Sequence, residues 1–232
     1  MSNAMKILEG FFDSQRIRLS SEGFRYSSIP PQLVRRTIDL LNRLDDDCAS
    51  IWLQWIPNLV EDPQNNISSL AANQVNETHR TSIPRMSYFC SINSQDPREG
   101  NPSKEVEGFV SLVYALLHQF LADIYSFPPE DAPGQSRLGA VEQRISGLDG
   151  TARTLHEALS AFDGAAHLLR MYNICIIDGL HLLEGPDTHD QLCELVRILR
   201  KTIWKLTFTT SGGSSVLSKE MDPEDCVKVD EE

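Results

Sequence analysis

Apolar positions along the chain follow two rhythms, short continuous runs and stripes that recur every three or four residues. The first stripe follows Pro30-Pro31. Leu33, Ile38, Leu41 and Leu44 are spaced as on one helix face over Gln32 to Leu44, and Asp45-Asp46-Asp47 ends it with charges that a helix C-terminus disfavours. Ser50-Ile51-Trp52-Leu53-Gln54-Trp55-Ile56 is a compact aromatic and aliphatic run halted by Pro57, which predicts a first strand with its tryptophans as packing residues. Ile67, Leu70, Ala71 and Val75 predict a helix from Gln64 to His79. Arg85 to Ile92 has the composition of a second strand.

The widest stripe runs from Val106 through Phe109, Val113, Leu116, Phe120 and Ile124. It follows Gly100-Asn101-Pro102-Ser103, where Asn101 or Ser103 suits a cap and Pro102 a first turn. Such a stripe predicts a helix lying flat against a sheet. Pro128, Pro129, Pro133 and Gly134 mark a loop, Arg137 to Leu148 a short helix, and Thr151 to Arg170 a helix that leads into Ile174-Cys175-Ile176-Ile177-Asp178-Gly179. A β-branched run that closes on a carboxylate and a glycine reads as a buried parallel strand, with its acid at the tip where open α/β sheets bind ligands. Asp187 with Asp190 then predicts the cap of a helix to Arg200, and Ile203 to Thr210 a fourth strand. The alternation implies an α/β fold, a three-layer, mostly parallel sheet with helices on both faces and right-handed crossovers.

Composition narrows the function more than the fold. With 232 residues and 41% hydrophobic content the chain can fill one core. A net charge of -12 argues against nucleic acid and anionic membranes as partners and leaves a protein partner. Cys48, Cys90, Cys175, Cys193 and Cys226 are odd in number and widely spaced, which suggests reduced thiols and an intracellular, cytoplasmic setting. Residues 1–4 read as an expression scar, 5–47 as a helical lead-in, 48–218 as the α/β domain and 219–232 as an acidic, disordered tail. No stretch reads as long and apolar enough to span a bilayer.

In order and spacing these pieces, from about Cys48 to Leu217, resemble the nucleotide-binding domain of STAND-class P-loop NTPases, in particular fungal NACHT and nephrocystin-like domains. Ile174 to His181 is similar to the family's Walker B strand, Leu206 to Gly212 to its sensor strand, and Ser111 to Leu121 to a helix carrying Leu-Ile-Tyr-Gln-Leu. The resemblance implies a P-loop NTPase-like fold, with Asp178 as the magnesium-associated acid. Set against it is Ile56 to Asn66, where the phosphate loop G-x-x-x-x-G-K-[ST] should lie. No glycine occurs between Gly23 and Gly100, and no lysine between Lys6 and Lys104. Glu61 and Asp62 sit there instead. One carboxylate about 6 Å from a phosphate charge opposes binding by roughly 3 kcal/mol at an effective dielectric of 20. His181 stands at the family's second acid and Gly212 at its arginine, so the parts that phosphoryl transfer needs are missing or altered.

The leading expectation is therefore a catalytically degenerate STAND/NACHT-like domain, a pseudoenzyme without cofactor, acting as an interaction or signalling scaffold. In that reading Asp178 caps the turn that follows it. Two alternatives stay open. A metal-dependent hydrolase would draw a divalent metal to Asp178, His181 and His189 from the loop that also holds Glu184, Asp187 and Asp190. An unconventional switch would bind magnesium-nucleotide with Arg35 or Arg36 supplying charge. Ser211-Gly212-Gly213-Ser214-Ser215 reads as a flexible strand end in preference to a phosphate nest, and His118 and His167 as packing or surface residues.

Overall fold

The short apolar runs become parallel strands, buried on both faces as their near-continuous hydrophobicity requires. The computed structural model describes residues 2–17, 31–42, 48–56, 63–78, 83–90, 103–168 and 173–230. Among them, β1 (Ala49–Ile56), β2 (Arg85–Phe89), β3 (Ile174–Asp178), β4 (Lys205–Thr210) and β5 (Cys226–Asp230) form an all-parallel sheet in the order β2-β3-β4-β1-β5. The helices are α1 (Asn3–Glu9), α2 (Pro31–Asn42), α3 (Pro63–Thr78), α4 (Lys104–Ser126), α5 (Ala132–Ile145), α6 (Leu155–Ala166), α7 (His189–Thr202) and α8 (Ser215–Glu220).

Alternation along β1 sorts the two faces. Ile51, Leu53 and Trp55 pack with Leu33 and Leu40 of α2 and with Ile67 and Leu70 of α3. Trp52 points the other way, into the larger core shared by α4, α6 and α7. The result is a three-layer α/β architecture. The chain leaves β1 through α3 on one face and returns through α4, α6 and α7 on the other. That reversal puts the topological switch beside β1 and β4, at the carboxyl edge where such sheets take ligands. Pro57 to Asp62, which follow β1 there, lie outside the described residues, as do Asp45 to Asp47 and Gly100 to Pro102.

Ser103 caps α4 by accepting from the Val106 N–H at 3.3 Å, and Glu105 and Glu107 favour its first turn electrostatically. Contrary to expectation, α4 is long and apolar enough by length and composition to cross a membrane, although most of that stretch is buried inside the fold. Its apolar character is accounted for by contacts on several sides, with α1, α6 and β2.

Two further expectations are corrected. Through Asp230 the acidic tail is not disordered. After a turn at Pro223–Asp225 it becomes β5, paired with β1 from Trp52↔Cys226 to Ile56↔Asp230. Composition misled because Arg200 neutralises Asp222 at 2.6 Å and Asp225 at 3.6 Å, while Cys226 and Val227 pack onto opposite cores. Residues 2–4 are part of the described structure, with Ser2 capping α1 and Ala4 only 5% exposed. Pro133 and Gly134 belong to the first turn of α5 and not to a loop. Asp131 caps that helix, and proline suits a first turn, where its missing N–H has no intrahelical acceptor.

Candidate functional site

The carboxyl edge of the sheet gathers its polar groups around Asp178. Register places Asp178 beside Phe89 of β2 and Thr209 of β4, and Thr209 beside Leu53 of β1. The side chain is 5% exposed. The Thr209 hydroxyl donates to Oδ1 at 2.6 Å, and the Ser68 hydroxyl, from α3, donates to Oδ2 at 2.6 Å. Burial pushes the carboxyl up to about 6, with these two hydrogen bonds pulling in the opposite direction. The Cys90 N–H donates to the Asp178 carbonyl at 2.8 Å, and burial followed by the Asp178 charge raises the Cys90 thiol well above its usual range. Burial thus favours the neutral thiol of Cys90.

Asp178 thus does not cap the following turn, as the sequence had suggested. The turn Leu180–Leu183 starts from Gly179 with no side-chain cap. Gly179 has φ +76°, and a Cβ there would stand 3.0 Å from the Cys90 carbonyl oxygen, so glycine is required on both grounds. Its N–H donates to the Thr209 carbonyl at 2.8 Å, tying the turn to β4. The carboxylate is diverted because α3 brings Ser68 against the tip of β3, a tertiary contact that the local sequence does not encode.

The structure does not assemble the three proposed metal ligands. His181 Nε2 pairs with the Ser211 hydroxyl at 3.2 Å, and burial lowers its imidazole pKa, with Glu184 opposing. His189 Nδ1 faces the Ser215 hydroxyl at 3.4 Å, and its Nε2 faces Cys193 Sγ at 3.8 Å. Asp178 is already held by two hydroxyls. Among the described residues no three His, Cys, Asp or Glu side chains are placed to hold a metal ion.

The glycine-serine segment after β4 is likewise not a flexible end. Ser214 caps α8 by accepting from the Leu217 N–H at 2.9 Å. Glu184 accepts from the Ser214 hydroxyl, the Ser215 hydroxyl at 2.6 Å and the Ser215 N–H at 2.9 Å. The positive end of α8 therefore carries an internal anion where a phosphate nest would need a free one. The cap of α7 is Thr188, not Asp187; its hydroxyl donates to the Leu183 carbonyl at 2.6 Å and accepts from the Gly185 N–H at 2.9 Å.

Of the other sequence candidates, Arg35 and Arg36 are exposed on α2. Arg36 borders a cleft with Asp39, Ser50 and Asp225. Ser50 pairs with Leu206, three residues before Thr209, so Arg36 stands at the amino end of β1, about 10 Å along the strands from the level of Asp178. His118 packs against Phe12 and lies 3.6 Å from Glu9, and His167 is exposed beside Asp163. Sequence reasoning missed Ser68, Thr209 and the Glu184 cap. The Ser68-Ser69 pair in the second turn of the helix that follows the first strand was the available signal for one of them. No protein-family model matches this chain, and no curated protein matches it.

Proposed function

We propose that the chain is a catalytically degenerate P-loop-type domain of NACHT or STAND character that serves as a protein-interaction scaffold. The carrying observation is the 2.6 Å hydrogen bond from Ser68 to Asp178. In P-loop NTPases the serine or threonine that ends the phosphate loop and the Walker B acid together hold the metal. Laying G-x-x-x-x-G-K-[ST] on this chain with its hydroxyl at Ser68 puts Glu61 and Asn66 at the glycines and Ile67 at the lysine. β4 lies between β1 and β3, and the reading is supported by the three strands that the resemblance names sharing one edge of the sheet.

The same register explains why hydrolysis is not expected. Ile67 is 1% exposed and packs with Leu53, Trp55 and Leu70, so the lysine position feeds the core instead of reaching toward an anion. The α8 terminus holds Glu184, and Glu61 and Asp62 fall in the loop pattern by sequence, outside the described residues. These residues do not fit a triphosphate. Calorimetric titration with ATP, GTP and ADP in magnesium is expected to show no binding at micromolar concentrations. Micromolar affinity accompanied by turnover would overturn the reading.

A further inference from the structure

The two edges of the sheet are treated differently. At β2 the Gln119 side chain imitates a neighbouring strand: its Oε1 accepts from the Ser87 N–H and its Nε2 donates to the Ser87 carbonyl, each at 3.0 Å. The Ser87 hydroxyl also donates to the Ile17 carbonyl. At β5 no hydrogen bond from any other described element reaches the outer side of the strand. An open edge strand is a template for another strand. Beside it, on the α8 side, lies a groove of about 420 Å³ lined by Trp52, Leu217, Met221, Pro223, Cys226 and Lys228. Strand addition uses this combination, an edge for main-chain bonds and a pocket for one alternate side chain.

We infer that β5 receives an extended, basic segment of a partner protein, with one bulky apolar side chain seated in the groove. The inference rests on the interaction half of the proposed function and names the surface that half requires. Charge selects the occupant. From Asp222 to Asp230 the chain carries four acids and one lysine, and among the described residues Arg200 forms ion pairs with Asp222 and Asp225. A second copy would bring together two chains of net charge -12 and is opposed, whereas alternating lysines on a partner strand would meet opposite charge. Across a strand successive side chains point to opposite faces, so an apolar residue between lysines turns toward the groove while its neighbours face the other way.

The test is fluorescence anisotropy of the full chain with a labelled Lys-Val-Lys-Phe-Lys-Val-Lys peptide, without nucleotide. Saturable binding is expected, weakening by about tenfold or more with added salt, with glutamates in place of the lysines, or with backbone N-methylation of the peptide. Ser218 is exposed on α8 at the groove, so Ser218→Trp fills it without entering the core and should weaken binding by a similar factor at unchanged melting temperature. Equal binding of the N-methylated or the acidic peptide would overturn the inference. So would a dimer in light scattering that Ser218→Trp converts to monomer, because the occupant would then be a second copy. Nucleotide titration reads the carboxyl edge independently, so failure here and failure of the degenerate-site reading are separable.

Discussion

Replacing Asp178 by asparagine should make the protein more stable at neutral pH and leave it nearly unchanged in acid. The folded state holds this carboxyl near 6 against an ordinary value of 3.8, because burial opposes the charged form more than the Ser68 and Thr209 hydroxyls support it. The native state therefore binds the proton more tightly than the unfolded chain does. Stability from this group is fully present below about pH 4 and is lost as pH rises to about 6. A difference of about two pH units corresponds to about 3 kcal/mol. Asparagine keeps the shape, accepting from one hydroxyl and donating to the other, but has no charge to desolvate. Asp123 is also pushed up to about 6 by burial, with Arg85 opposing, and titrates in the same window. It is common to both proteins and cancels in their difference. Urea unfolding from pH 4 to 7.5, followed by the fluorescence of the buried Trp52, Trp55 and Trp204, gives that difference directly. The stability of Asp178→Asn minus that of the parent should climb by about 3 kcal/mol between pH 4 and pH 7. A flat profile, or one falling with pH, would refute the reasoning.

Two other substitutions probe the neighbouring roles. Ile67→Lys restores the missing cation to the loop pattern but places an ammonium in a site that is 1% exposed. It should lower stability by on the order of 3 kcal/mol or more in urea melts, and calorimetry should detect no gained ATP affinity. Glu184→Ala removes the carboxylate from the first turn of α8, leaving the Ser215 N–H without its acceptor. A loss of about 1 kcal/mol at pH 7 is expected, and an unchanged denaturation midpoint would mean that Ser214 alone suffices as cap.

Much of the layered architecture was legible in the sequence because parallel strands and their covering helices have different apolar periods. Ile174 to Asp178 could be read as a central buried strand for that reason, and the stripe from Val106 to Ile124 as a helix against the sheet. What escaped was decided between elements distant in sequence. Asp178 looked like a local cap because its partners, Ser68 and Thr209, lie 110 and 31 residues away. Glu184 gave no local sign of capping α8, which begins after β4 has intervened. The tail looked disordered since composition counts acids without knowing that Arg200 faces two of them, or that β1 offers an edge to pair with. His181 and His189 looked like ligands through nearness in sequence, yet each turns to a different serine.

The energetic balance at the carboxyl edge explains how such a site persists as structure. Burial of ionised Asp178 works against the fold at neutral pH, and a lysine at position 67, in the apolar cluster of Leu53, Trp55 and Leu70, would add a second buried charge. Isoleucine at position 67 reverses the sign of that contribution, since burying its side chain stabilises by about 1.5 to 3 kcal/mol. One step further along α3, Ser68 still supplies the hydroxyl that keeps the acid hydrogen-bonded. The helix thus gives an apolar residue to the core and a polar one to Asp178 at consecutive positions, and both contributions offset the cost of the buried acid. In the proposed reading one added cation does not confer nucleotide binding, because the pattern also lacks both glycines and Glu184 occupies the first turn of α8.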